Sequence, residues 1–289
     1  MSFRTDLALE AVENVAASGN LSSIDGVETI VKDKKGAKIT VVEIKTKEAS
    51  EKVGKPIGRY TTIEMPPFSA PFESFQSYVE IIAEEIAPLL PNDPTVLVAG
   101  LGNISITPDS LGPRVSDKIL ATRHIDSELK KQIGLGGLPN VCSVATGVLG
   151  KTGIESEEII KSIVDSVGAN CVIAVDALAA GSIKRLGKTV QISNSGISPG
   201  SGVQNKRKEI SSRSLKIESV VSIGIPTVTE ASVIASEMSE GKVNECENMI
   251  VTPKEIDAII ANASRVLSLA INKALFRELD IDDLDHLTS

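Results

Sequence analysis

The feature that most constrains this chain is an alternation. Short runs of aliphatic and β-branched residues, TVLVAG (95–100), VCSVA (141–145), CVIAVD (171–176), TVQIS (189–193) and SVVSIGI (219–225), are separated by stretches with helical apolar spacing. Runs that are short and apolar throughout suit strands buried on both faces. Strands alternating with helices close into a parallel sheet with helices on both sides and right-handed crossovers. The spacing predicts helices over SLGPRVSDKILA, near Glu155–Val167, after Asp176, and from Thr252 to Phe276, where Ile256, Ile259, Ile260, Ala263, Val266 and Leu267 form one stripe. The N-terminal part reads differently. GVETIVKD and AKITVVEIK form a hairpin over 26–47 turned at Lys34-Lys35-Gly36, RYTTIEMPPF adds an extended piece, and Phe72–Ile86 is helical up to Pro88. The expected fold class is α/β: a mostly parallel central sheet flanked by helices, with a β-rich N-terminal segment over 26–65, in a single domain over 1–289.

Composition agrees with that core. Hydrophobic residues make up 42% and aromatics only 2%, with no Trp, so Val, Ile, Leu and Ala must fill the interior. A net charge of −8 excludes a general nucleic-acid binder but does not repel a substrate with basic segments. Cys142, Cys171 and Cys246 form no C-x-x-C pair and read as free thiols of a reducing cytoplasm. The N-terminus MSFRTDLALEA has no apolar signal region, and no run approaches the ~18 apolar residues of a membrane span. The expectation is a soluble, intracellular protein with no membrane partner.

In open α/β sheets the functional crevice lies beyond the carboxyl ends of the strands. Two acids are placed there by the pattern: Asp109 in VAGLGNISITPDSLGP, at a helix start, and Asp176 at the end of CVIAVD. Asp109 has a structural reading as a helix N-cap. Asp176 has fewer, because an unpaired acid on an apolar strand costs several kcal/mol, on the order of 2–7 for a polar group without a partner. If the strands are neighbours, the two carboxyls share one proton, and one serves as base on a water while the other serves as acid.

Other motifs compete. Ala145-Thr-Gly-Val-Leu-Gly150-Lys151-Thr152 fits a relaxed P-loop, with Ala for the first Gly, and implies an NTPase whose magnesium-dependent nucleotide binding is lost in Lys151→Ala. Gly196-Ile-Ser198-Pro199-Gly200 matches the serine-hydrolase elbow, but Pro199 has no N–H to donate to an oxyanion, and His124 and His286 are the only histidines. Gly100-Leu-Gly102 lacks the third glycine of a dinucleotide fingerprint and reads as a tight turn. There is no H-E-x-x-H and no Cys/His zinc spacing, so no metal and no cofactor are assigned, while an oxygen-rich Asp/His/Glu site stays open. His124 reads as a surface or hydrogen-bonded histidine.

Taken together, GLGNISITPDSLGP, VDALAAGSIKRL, ISNSGISPGSGVQNKRKEIS and SIGIPTVTEA, with RTDLALEA at the start and VTPKEIDAIIANASRVLSLAINKAL near the end, resemble the germination proteases of endospore-forming bacteria. The resemblance covers nearly the whole chain in the family's order. It implies an atypical aspartic-type endopeptidase that degrades small acid-soluble spore proteins in the spore core at germination, without contacting nucleic acid itself. It implies that the family's two essential aspartates, in the TPD-x-LGP and DALAA motifs, are Asp109 and Asp176. The fold is expected to be similar to that of hydrogenase-maturation endopeptidases, which use a comparable loop near a metal. The family is made as self-trimming zymogens and assembles as tetramers. Arg4-Thr5-Asp6-Leu7-Ala8 is similar to the acid-then-aliphatic sequence the family cleaves, which implies a propeptide of residues 1–6 cut between Asp6 and Leu7; alternatively RTDLALEA simply opens the first helix.

Lys206, Arg207 and Lys208 follow the glycine-rich SPGSGVQN loop, as a site for an acidic substrate side chain or as a solvated basic turn. The chain departs from the family at Asn194, where an Asp is usual, at Thr146, where a proline is usual, and by a shortening around 238–248. A catalytically inactive assembly protein on the same fold is the non-enzyme alternative.

Overall fold

The computed structural model describes residues 4–16, 24–70, 75–132, 137–200, 207–238 and 249–288. In chain order the elements are α1 (Ala8–Val15), β1 (Val27–Lys34), β2 (Ala37–Ile44), α2 (Lys47–Val53), β3 (Gly58–Glu64), α3 (Phe75–Ile86), β4 (Thr95–Leu101), α4 (Leu111–Ser116), α5 (Ser127–Gln132), β5 (Asn140–Gly147), α6 (Leu149–Thr152), α7 (Ser156–Val167), β6 (Cys171–Ala180), β7 (Thr189–Ser193), α8 (Ser212–Leu215), β8 (Ser219–Glu230), α9 (Ala231–Met238), β9 (Ile250–Val251), α10 (Ile256–Leu275) and α11 (Ile281–Thr288). The expected N-terminal hairpin forms with its turn at Lys35 and Gly36, both at positive φ.

All the described strands join one sheet in the order β1-β2-β3-β7-β8-β6-β4-β5, with β9 added on β8. β5, β4, β6 and β8 are parallel, as the strand–helix alternation implies. β7, β3, β2 and β1 continue the sheet antiparallel, so the β-rich N-terminal segment is part of the same sheet. One expectation is corrected here: no helix follows Asp176. β6 continues to Ala180 and residues 181–188 form turns before β7. A parallel return needs a crossover of about a dozen residues or more, and this link is shorter, so β7 comes back antiparallel.

The two faces of the sheet are packed differently. One face carries a continuous core in which Val98, Val175, Ile192, Ile223 and Ile63 lie under α3, α4 and α10. The opposite face carries two separate cores. Leu97, Ala99, Val172, Ala174 and Val220 pack under Ile160 and Val164 of α7, and Val42, Ile44 and Tyr60 pack under Leu9 and Val12 of α1 and Ala49 of α2. Between them the same face of β6, β7 and β8 presents Asp176, Gln191, Ser193, Ser222 and Gly224. Period-2 alternation makes this legible along each strand: Val172 and Ala174 are followed by Asp176, and Val220 by Ser222 and Gly224. Polar or missing side chains cannot extend the apolar core, and a gap opens there.

α4 is set against the sheet at backbone distance. A Cβ on Gly112 would lie 2.3 Å from Leu101 O and 2.4 Å from Val175 O, and one on Gly100 would lie 2.2 Å from Gly112 O. Those neighbours are backbone and cannot rotate away. Gly112→Ala is expected to lower stability by about 3 kcal/mol, at the upper end of overpacking costs, measured by chemical denaturation.

Candidate active site

The loop after β4 is built around Asp109. Gly102 has φ +111, and a Cβ there would lie 2.2 Å from Asp109 O, so only glycine lets the chain turn this tightly. Thr107–Asp109 form a 3₁₀ turn, Asn103 N donates to Asp109 Oδ2 at 2.8 Å, and Thr227 Oγ on β8 donates to Pro108 O at 2.8 Å. The Asp109 carboxylate therefore closes its own loop and does not cap α4, whose N-cap is Ser110. Partial burial raises its pKa, against the Asn103 N–H, which favours the ionised form.

Asp176 is only 6% exposed. It is not at the end of its strand, as the sequence pattern implied, because β6 runs on to Ala180; what ends beside it is the β4–β6 pairing, whose last pair is Gly100 with Val175. Its hydrogen-bond partner is the N–H of its neighbour Ala177, at 2.9 Å. Burial foremost, then the charges of Asp109 and Asp6, push its pKa well above the ordinary value. The fold thus brings Asp109 within electrostatic range of Asp176 and favours a proton on the latter. A protonated carboxyl and an ionised one acting on the same carbonyl form an acid–base pair able to add water to it.

A cavity of about 860 Å³ lies on the sheet face between the two cores. Asp176, Leu178, Gln191, Ser193, Ser222 and Gly224 contribute its floor; residues 4–6, part of α1, residues 50–56 and Ser195–Ser198 contribute its walls. Asp109 is not among the lining residues, so its charge acts on Asp176 from outside the cavity. Residues 4–6 run along the wall like an added strand end. Asp6 N donates to Ala179 O at 2.9 Å, and Ala179 N donates to Asp6 Oδ2 at 2.8 Å. Lys55 Nζ donates to Thr5 O at 2.9 Å and to Asp6 O at 3.1 Å, and Gln191 Nε2 donates to Asp6 O at 3.0 Å. Leu7 is fully buried. Beside it, the Glu10 carboxylate accepts from Gly181 N at 2.6 Å and from the Thr5 hydroxyl, and burial raises its pKa.

Lys55 and Gln191 were not singled out in the sequence. Gln191 left a signal, a polar residue inside the apolar run TVQIS; Lys55, between Gly54 and Pro56, left none. Of the basic cluster, Lys206 lies outside the described residues. Lys208 pairs with Glu158 on the surface, Arg207 N donates to Pro199 O at 3.2 Å, and neither lines the cavity. Ser198 does line it. The P-loop candidate is not shaped to cradle phosphate: Ala145–Gly147 belong to β5, α6 is a single turn stopped by left-handed Gly153, and Lys151 Nζ donates to Ser105 Oγ at 2.7 Å. Asn194 Oδ1 accepts from Arg59 N at 2.8 Å, joining β7 to β3. His124 is exposed, Cys142 and Cys171 are free thiols, and Cys246 lies outside the described residues. Among the described residues no three of His, Cys, Asp and Glu are grouped as metal ligands, and no helix is long and apolar enough to cross a membrane.

The family model described as germination protease matches residues 5–240. A germination protease of Clostridium tetani is 35% identical over 322 aligned positions, covering 99% of each chain. One from Clostridium perfringens is 37% identical, covering 98% of each, and one from Priestia megaterium is 46% identical over 82% of this chain and 66% of that protein. The 322 aligned positions exceed the 289 residues here, so that relative carries residues this chain lacks; nearly all of the expected place, 239–248, lies outside the described residues. The crystal structure of a [NiFe] hydrogenase maturation protease from Thermococcus kodakarensis aligns with TM-score 0.39 and 17% identity over 66% of this chain and 98% of that one.

The burial of Asp176 has a consequence for stability. Because its folded pKa lies above the ordinary 3.8, the native state holds a proton the unfolded chain gives up. The native state is favoured at low pH, and that advantage is lost as pH rises from about 3.8 through the raised value. Asp176→Asn is expected to raise the melting temperature at pH 8 and to leave it nearly unchanged at pH 3.5, by calorimetry at both values, on the order of the linkage effects of single buried carboxyls.

Proposed function

Because this chain belongs to the germination protease family, we propose that it is an aspartic-type endopeptidase in which Asp109 and Asp176 activate water against a peptide bond. The observation that carries this reading is buried Asp176, within range of the Asp109 charge, opening onto a cavity whose wall includes Asp6 of the chain's own acid-then-aliphatic segment. The pair titrates as a unit carrying one proton. Burial and the two neighbouring charges favour that proton on Asp176, which then acts as the acid, while Asp109 takes the proton of the attacking water.

In the same reading the whole chain acts as one peptidase domain of which residues 1–6 are a propeptide. The Asp6–Leu7 bond is cut by the chain's own aspartates, and protein substrates are cut at similar bonds. The substrates are small acid-soluble spore proteins, degraded in the spore core at germination, and the working form is a tetramer of this chain. What supports self-cleavage is the hold beside the bond: the Asp6 N–H donates to Ala179 O, the Asp6 carboxylate accepts from Ala179 N, and Leu7 is buried.

Purified full-length protein is expected to convert to a form beginning at Leu7, read by intact mass and N-terminal sequencing, and then to cut a small acid-soluble spore protein after acidic residues. Asp109→Asn and Asp176→Asn are each expected to lose at least about 10³-fold in both reactions, as removal of an acid–base partner does, while remaining folded. Cleavage by either variant at the wild-type rate overturns the two-carboxyl reading; a folded wild type that cuts nothing favours the inactive assembly protein.

A further inference from the structure

The carbonyl oxygen of Asp6 receives two side-chain donors, Lys55 Nζ at 3.1 Å and Gln191 Nε2 at 3.0 Å. Both reach it from the floor and wall of the cavity that Asp176 lines, from elements far apart in sequence. Lys55 is held where its ammonium is poorly solvated. Burial lowers its pKa, against the charges of Asp6 and Glu10, and its hydrogen bonds go to two backbone carbonyls. A lysine and an amide converging on one peptide oxygen are the donors needed where negative charge develops on that oxygen. The Asp6 carboxylate meanwhile is held by the backbone N–H of Ala179 at 2.8 Å, while Lys208 is paired with Glu158 elsewhere.

We infer that Lys55 and Gln191 are the donors that hold the oxygen of the bond being cut, and that the Ala179 N–H receives the acidic side chain on its amino side, for the chain's own Asp6–Leu7 bond and for acid–aliphatic bonds of protein substrates. This rests on the protease reading above. Water oxygen adds to the Asp6 carbonyl carbon and gives one proton to the ionised aspartate. The former carbonyl oxygen becomes an oxyanion between Lys55 Nζ and Gln191 Nε2. As the bond to Leu7 N breaks, the carbonyl re-forms and Leu7 N takes the proton of the acidic aspartate, giving a carboxylic acid on Asp6 and an amine on Leu7. The acid's remaining proton passes to the amine, leaving a carboxylate and an ammonium, and the aspartate pair again carries one proton.

A purely structural role is separable, because Gln191 also accepts from Ala8 N at 2.6 Å. Gln191→Glu keeps that acceptor and the shape of the side chain but removes the donor to Asp6 O. The assays are first-order self-cleavage of the full chain by intact mass, and turnover of a peptide with the sequence of residues 1–12. Gln191→Glu and Lys55→Met are each expected to slow both reactions by about 10²–10³, in kcat more than in KM, the loss typical of one oxyanion donor. Lys55→Arg, which keeps a charged donor, is expected to recover at least about tenfold over Lys55→Met. If the wild type cuts, Asp109→Asn and Asp176→Asn do not, and folded Gln191→Glu and Lys55→Met both cut within about threefold of wild type, the inference is overturned while the two-carboxyl reading stands. A folded wild type inert in both assays overturns the protease reading and this inference together.

Discussion

Helix α4 touches the sheet through backbone, with Gly112 against Leu101 and Val175 and Gly100 against Gly112. Contact at this range leaves no room for side chains, so it sets the depth of the helix and of everything tied to its start. The 3₁₀ turn that carries Asp109 is drawn in over the end of β4, and Asn103 and Thr227 fix it there. Asp109 consequently lies within electrostatic range of Asp176 although the two come from different segments and their β-strands end at different heights.

Asp176 is the costliest feature of that arrangement. A carboxyl on a central strand, bonded to one N–H and flanked by two acids, is unfavourable to ionise, and the fold accepts this by favouring the protonated form. The surroundings are adapted to it. Opposite Asp176, β8 presents Gly224, and the neighbouring inward positions are Ser222, Ser193 and Gln191. The sheet face that is apolar under α7 and again under α1 is therefore polar between them, and the cavity is the place where the two cores fail to meet. The N-terminal segment lines this gap. Its Asp6 is at once a wall residue, one of the charges acting on Asp176, and the owner of a carbonyl held by Lys55 and Gln191.

Much of the fold was legible because its strands are short, apolar and separated by helical spacing; β4, β5, β6 and β8 form the parallel half that this pattern implies. The helix expected after Asp176 was not there, since DALAA continues as paired strand and the short link that follows turns the chain back antiparallel. At the candidate site, Asp109 and Asp176 stood out as acids near strand ends. The basic residues Arg207 and Lys208 stood out as well, yet lie away from the cavity. Lys55 carried no local signal, because nothing in Gly54-Lys55-Pro56 records what its ammonium will meet.

Local sequence alone determined the alternation of strands and helices, the polar interruption of β6, β7 and β8, and the glycines that a tight turn and a close helix require, because each follows from side-chain period or backbone freedom within a few residues. Tertiary structure decided the rest. That the charge of Asp109 acts on Asp176, that the interruptions on three strands align into one cavity, and that Lys55 and Gln191 converge on the carbonyl of Asp6 all depend on strand order and register. Those are set by pairings between residues distant in sequence, as between Gly100 on β4 and Val175 on β6 and between Tyr60 on β3 and Ser193 on β7, which no local pattern encodes.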